Sequence, residues 1–381
     1  MKTPRLKYWA GKLTFRKQNC EPIPTERGRQ FMTTTELLDI DGSEGEGGGQ
    51  MLRSSLSLAL LTGKGFRLRN IRARRENPGL QAQHLMSVRA AAAIGTATTE
   101  GDTLKSRELT FLPSEVRSGD YQFDIGTAGS TSLVLQTIYL PLLLRGQGPS
   151  KVTVTGGTHV KVSPSFHFLQ QTWAAYLRLL GLEVRLEMIR PGFYPRGGGK
   201  VTAEFIPAAR VKALRYAPTE VKVKKLRVTG FSAVAGLPEH IAERQADQAN
   251  KRLRGAGLKA ELPTETWPNA GPGSVLALVL HAGPVPTLFS GLGELRKPAE
   301  RVAEDAADEL LAHVRAEATA VDPHSADQLI LPLTFAEGSS TFPVSCVTRH
   351  LLTNIAIIRQ FLPREITCAG EEGQPGIVRI E

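Results

Sequence analysis

Cysteine is scarce in this chain of 381 residues, which holds only Cys20, Cys346 and Cys368. An odd, scattered set excludes a disulfide framework and fits a reducing compartment, so a cytoplasmic location is expected. No Cys-x-x-Cys pair occurs, and the eight histidines show no zinc spacing. Aromatic residues make up only 6% of the chain, too few for a platform that stacks a long single strand. Long apolar runs are missing as well. The longest, Ser132–Leu144, is interrupted by Gln136, Thr137 and Pro141 and is too short to cross a bilayer. The N-terminus lacks the continuous apolar core of a signal peptide, so no membrane partner is expected.

What the chain does have is positive charge, +10 in all, which suits a polyanionic partner. Met1–Phe31 carries eight basic and two acidic residues, hence six of those ten charges, and the rest is only mildly basic. This stretch contains Pro4, Pro22 and Pro24 and shows neither helical nor strand period. Residues 1–34 are read as a flexible basic arm, with Met32 expected as an alternative start codon. The remaining composition, 41% hydrophobic and 22% charged, is ordinary for a globular chain, and the length favours a main body with a second module.

Beyond the arm a unit recurs, made of a short strand, a glycine turn and an apolar helix. Glu36–Ile40 leads through Gly45–Gly49 to a helix near Met51–Leu61, whose Leu52, Leu56, Ala59 and Leu60 share one face. Phe66–Ile71 reads as a strand, and Pro78-Gly79 opens a helix through Ala93. Gly126–Gly129, 81 residues after Gly45, opens another apolar helix, and Gly156-Gly157 precedes one around Phe168–Leu180. The pattern predicts an α/β chain of repeats of about 80–90 residues, each a small sheet backed by helices. From Val221 the texture changes. Val221–Val228 reads as a Lys-rich strand, Glu239–Gly255 as a helix, Ser274–His281 as an apolar strand and Glu294–His313 as a long charged helix. An inserted domain of about 100 residues, 221–319, is predicted there.

Five segments carry candidate chemistry. Gly45–Gln50 places three consecutive glycines before a helix, where backbone N–H groups and the positive helix end favour phosphate. Glu46 would add a carboxylate for a divalent metal and Arg53 a cation, although a tight turn with a solvated Glu has the same sequence. Arg67, Arg69, Arg72, Arg74 and Arg75 supply guanidinium forks for phosphate; Arg67 and Arg69 are read as a solvent-facing edge. Gln83-His84 follows inside a helix, where a lone His is commonly structural. Gly126–Ser130 precedes Gln136, a buried amide that an adenine edge or a backbone group would satisfy. His324–Gln328 could read a ribose, with N-capping by Ser325 or Asp327 as the alternative. His350 begins a helix that ends at Pro363. The positive helix end there predicts a neutral ring, which is what a nucleophilic His needs, although a water-exposed His at a helix start has the same sequence.

The order of these segments is more specific than any one of them. Gly45-Glu-Gly-Gly-Gly-Gln-x-Leu-Arg-Ser54 is followed by Arg72-x-x-Arg-x-x-Pro-Gly-Leu-x-x-Gln-His84 and then by Gly126-x-Ala-Gly-Ser130. Gly192-Phe-Tyr-Pro-x-Gly-Gly-Gly199, Ala326-Asp-Gln-Leu329 and His350-Leu-Leu-Thr-Asn354 complete the series. Over about Leu37–Glu381 the chain resembles the RNA 3′-terminal phosphate cyclase family. That resemblance implies three repeated sheet-plus-two-helix units, each like the C-terminal domain of a translation initiation factor, with a small inserted α/β domain. The catalytic body is then 35–220 and 320–381. It also implies an ATP-dependent ligase that forms a histidine–AMP adduct, passes AMP to an RNA 3′-phosphate, and lets the 2′-OH displace AMP as a 2′,3′-cyclic phosphate closes. Carried onto this sequence, the nucleophile is His350. Gln136, His324, Ser325, Ala326, Asp327 and Gln328 contact ATP, and Glu46 binds Mg²⁺ or Mn²⁺. Arg53, Arg72, Arg75, Gln83 and His84 surround the phosphates and the RNA end. A non-catalytic ribosome-assembly relative and a carboxyvinyl transferase are the rival readings. The oligomeric state is left open.

Overall fold

In the computed structural model the described residues are 37–268 and 271–381; the basic arm and the Met32 start lie outside them. The first sheet orders Leu38–Asp41, Phe66–Arg69, Leu109–Leu112 and Thr98–Glu100 side by side, with the first pair parallel and the others antiparallel. Alternation sets its faces. Phe66 and Leu68 are buried against helices, while Arg67 and Arg69 point to solvent and pair with Glu108 at 2.8 Å and Asp39 at 2.7 Å. That is the exposed basic edge read from the sequence.

The second sheet repeats this spatial order with Asp120–Asp124, Ser150–Gly156, Gly199–Ile206 and Glu183–Arg190. A third sheet holds Ser340–Val344, Gly376–Ile380 and Ile366–Ala369. Its outer neighbour is the segment at Arg215, bridged in parallel to Thr341. The helix Thr131–Arg145 is buried along nearly its whole length and packs on helices Gly49–Thr62 and Ala82–Gly95. A mixed α/β architecture was legible from the strand, glycine-turn and helix pattern.

Residues 227–292 form a five-stranded sheet, and its strands Arg227–Ala235, Gly273–His281 and Thr287–Leu292 are antiparallel neighbours. Helices His240–Gly255 and Ala299–Glu317 pack on it over their own apolar cluster, which includes Leu253, Leu278 and Leu310. Arg244–Glu300, Gln248–Glu304 and Arg252–Asp308 contacts repeat at a constant separation of 56 residues, so the two helices run parallel. Two boundaries differ from the sequence reading. Lys222, Lys224 and Lys225 are exposed, and inward–outward alternation begins only at Leu226, so the strand starts at Arg227 after a short 3₁₀ turn. The long charged helix starts at Ala299 rather than Glu294, because Pro298 sits at its N-cap. No described helix is long and apolar enough to cross a membrane.

Candidate active site

Helices Gly49–Thr62 and Arg349–Phe361 pack side by side, and Pro323–Thr334 packs on the second of them. The glycine run makes room where their ends converge. Gly48 caps the first helix with no side-chain hydrogen bond. A Cβ at Gly48 would lie 2.6 Å from Glu46 Oε1 and 2.7 Å from Arg75 Nη2. One at Gly49 would lie 2.5 Å from His84 Nε2 and 2.8 Å from Arg53 Nη1. The missing side chains are thus the space into which the functional ones fit.

Glu46 is the hub. Its side chain is only 6% exposed, and its Oε2 lies 2.8 Å from His350 Nδ1 and 3.3 Å from Arg75 Nη2. Oε1 accepts from the Gln50 N–H at 3.2 Å, and the Glu46 N–H donates to Thr353 Oγ1 at 3.2 Å. Burial pushes the Glu46 carboxyl up, but the His350 hydrogen bond and charge, the Gln50 N–H and Arg53 hold it below the usual range. His350 is lifted above its ordinary value, first by the Glu46 hydrogen bond, against burial and with Glu46 and Asp327 charges adding. The shift runs opposite to the one expected of a helix end: the ring does begin helix Arg349–Phe361, but a buried carboxylate in contact outweighs a helix end.

His350 also lines a cavity of about 380 Å³ together with Arg53, His324, Asp327 and Gln328. Its other walls include Pro164, Phe168, Leu288 and Lys297. An adjoining recess shares Gln50, Arg53, Asp327 and Gln328 with it and adds Gln136. Gln136 is 7% exposed, and neither end of its amide has a hydrogen-bond partner. Asp327 accepts from Thr348 Oγ1 at 2.5 Å and is pushed up to about 6, chiefly by burial. His324 Nε2 lies 2.7 Å from Glu309 Oε1. Ser325 and Ala326 do not reach the cavity; both are turned into the core. Neither Ser325 nor Asp327 is the N-cap. Asp322 takes that place and accepts from the Ser325 N–H at 2.9 Å.

The arginines divide the work. Arg53 sits at the cavity and donates to Gln50 Oε1 at 2.7 Å; burial lowers it to about 10. Arg75 rests on Glu46. Arg72 spends Nη1 on its own loop, donating to the carbonyls of Asn77 at 2.5 Å and Gly79 at 3.0 Å. His84 is driven down to about 3 by burial and by Arg53, Arg72 and Arg75, so it is neutral, and its Nδ1 is without a partner. Gln83 Oε1 accepts from the Ser130 N–H at 2.9 Å, tying this wall to the 126–130 turn. Among the described residues no group of three or more His, Cys, Asp or Glu is placed to hold a metal ion.

A family description, RNA 3′-terminal phosphate cyclase, matches residues 44–368. The chain belongs to the RNA 3′-terminal phosphate cyclase family. A relative of that name from Ectopseudomonas mendocina is 43% identical over 348 residues, covering 91% of this chain and 98% of the other. One from Caldivirga maquilingensis is 45% identical over 336 residues, covering 87% and 94%. The Salmonella typhimurium relative is 40% identical over 342 residues, covering 88% and 96%. A solved EPSP synthase from Acinetobacter baumannii matches at a TM-score of 0.34 and 13% identity, over 91% of this chain and 64% of that one, a likeness too slight to bear on activity.

Gln50, Ser54, Thr353 and Asn354 lie within the cyclase motifs, and the sequence alone assigns them no role. Asn354 Oδ1 accepts from Ser54 Oγ at 2.6 Å and Gln50 Nε2 at 3.1 Å, and its Nδ2 donates to the Asp327 carbonyl at 2.9 Å. This buried amide therefore fixes the Arg53, Asp327 and His350 helices relative to one another. Their signal was present: polar residues inside otherwise apolar helix faces must find partners.

Proposed function

We propose that this chain uses ATP to close a 2′,3′-cyclic phosphate at the 3′-phosphate end of RNA, through a covalent His350–AMP adduct and an RNA 3′-adenylylated intermediate. The observation that carries the reading is the Glu46–His350 contact of 2.8 Å at the edge of the cavity. A carboxylate on Nδ1 fixes the tautomer and leaves the Nε2 lone pair free to attack. His350 Nε2 bonds to the α-phosphorus of ATP as the bond to the β-phosphate breaks and pyrophosphate leaves. An oxygen of the RNA 3′-phosphate then takes AMP from the histidine. The vicinal 2′-OH attacks the activated phosphorus at high effective concentration and AMP departs.

The unpartnered Gln136 amide offers one donor and one acceptor, as the adenine edge requires. Arg53 and the N-terminal end of the first helix face the triphosphate. Arg75 and His84 are offered to the RNA end. Mg²⁺ or Mn²⁺ at Glu46 fits poorly with the protein groups alone, since both carboxylate oxygens already meet donors. Such an ion would take most of its ligands from the phosphates, and no step is assigned to it. Three copies of the sheet-plus-two-helix unit over 35–220 and 320–381, with an inserted domain at 221–319, are the architecture we infer; the shared strand order of the first two sheets supports it.

The test is incubation with α-labelled ATP followed by a denaturing gel. The wild-type chain should carry label that is released by 3′-phosphate RNA, and His350→Asn should carry none. Label retained on that variant would overturn the assignment, and a wild-type chain that never labels would favour a carboxyvinyl transferase or a non-catalytic relative.

A further inference from the structure

The Gly192–Gly199 motif takes no part in the chemistry above, yet it presents a ring to solvent. Tyr194 is 77% exposed, and among the described residues it is the one exposed Phe, Tyr or Trp. Its support is rigid. The preceding Phe193 is 4% exposed, stacks on His159 with centroids 5.4 Å apart and lies 6.4 Å from Trp267. Within the loop the Gly197 N–H donates to the Phe193 carbonyl at 2.7 Å, and Arg190 Nε donates to the Gly198 carbonyl at 2.7 Å. Arg190, which ends the strand leading into the loop, and Arg196, two residues past the ring, are exposed, and neither forms an ion pair among the described residues.

The loop also lies close to the reaction site. A Cβ on Gly197 would be 2.7 Å from Ala128 Cα, and one on Gly129 would be 3.0 Å from Gln83 Cβ. The ring is therefore linked through the 126–130 turn to Gln83, whose neighbour His84 borders Gly49 and Arg53. A fixed exposed aromatic with two exposed arginines nearby in sequence, neither ion-paired among the described residues, next to a candidate site for a polyanion's end, matches a single-stranded nucleic acid. The scarcity of aromatics excludes a long platform and leaves room for one base.

We propose that Tyr194 stacks one nucleobase just upstream of the RNA 3′ end, with Arg190 and Arg196 facing the adjoining backbone phosphates. This rests on the RNA-end reading above, and the two fail separately: loss of the AMP adduct tests that reading and does not involve Tyr194. The experiment compares wild type, Tyr194→Phe and Tyr194→Ala on a nucleoside 3′-phosphate, a short 3′-phosphate oligoribonucleotide, and the same oligonucleotide made abasic at each upstream position in turn. Tyr194→Ala should raise KM for the oligonucleotide by roughly 5- to 150-fold, with the His350–AMP rate unchanged and Tyr194→Phe near wild type. It should not change KM for the nucleoside 3′-phosphate, and one abasic position should cancel the difference between variants. Equal losses on the mononucleotide and the oligonucleotide, or no abasic position that cancels the effect, would overturn the proposal.

Discussion

At Glu46 two carboxylate oxygens serve His350, Arg75 and the Gln50 N–H. The raised pKa of His350 has a kinetic sign. Attack needs the neutral ring, so adduct formation should fall as pH drops through a midpoint above the ordinary His value. Glu46→Gln removes the charge that lifts the ring. Its midpoint should move down toward the ordinary value while the plateau rate falls about 10- to 100-fold, the usual cost of losing a carboxylate that orients an imidazole. Single-turnover labelling across pH checks this; an unshifted midpoint would show that Glu46 does not set the protonation of His350. Gly49→Ala should damage the same step for a steric reason, because its methyl would displace His84 and Arg53. Adduct formation should drop while the unfolding midpoint in denaturant changes little.

At the scale of elements, the three helices of the site are held by one amide. Asn354→Ala would strand the Asp327 carbonyl and the Ser54 and Gln50 donors, at a cost of about 1–3 kcal/mol for buried groups left unpaired. Asn354→Asp keeps acceptors for Ser54 and Gln50 but buries a carboxylate oxygen against the Asp327 carbonyl, so it should be at least as destabilising as Ala. Denaturant unfolding read beside the adduct rate checks the order; an Ala variant as stable as wild type would mean that the network is incidental. The helices themselves were readable, because Leu52, Leu56 and Leu60, and likewise Leu351, Ile355 and Ile358, recur at helical spacing and are buried. The glycine run and His350 were readable as candidates, and the structure brings them together about Glu46. What sequence could not give was contact across more than 300 positions, as between Glu46 and Thr353. It also missed the direction in which the His350 pKa moves and the cap at Asp322, since both depend on which groups meet in space.

Over the whole molecule the cavity and the segment carrying Arg75, Gln83 and His84 draw on different elements around His350. The strand Thr287–Leu292 and the helix Ala299–Glu317 help to line the cavity. Arg75, Gln83 and His84 do not, lying instead about the glycine run and the 126–130 turn. Under the proposed function ATP and RNA would reach His350 by way of different residues, which predicts where a defective substrate stops. An RNA ending in 3′-OH offers no oxyanion to accept AMP, so the enzyme–AMP adduct should persist in its presence. A 3′-phosphate end on a 2′-deoxy sugar can accept AMP but has no group to displace it, so the adenylylated nucleic acid should accumulate. Arg75→Ala, by removing a guanidinium from the RNA side, should slow AMP transfer to RNA more than it slows labelling of His350. A time course resolving enzyme–AMP, RNA–AMP and cyclic product reads all three outcomes. If Arg75→Ala lowers enzyme–AMP formation as strongly as product formation, that arginine serves ATP, and the two approaches are not separate.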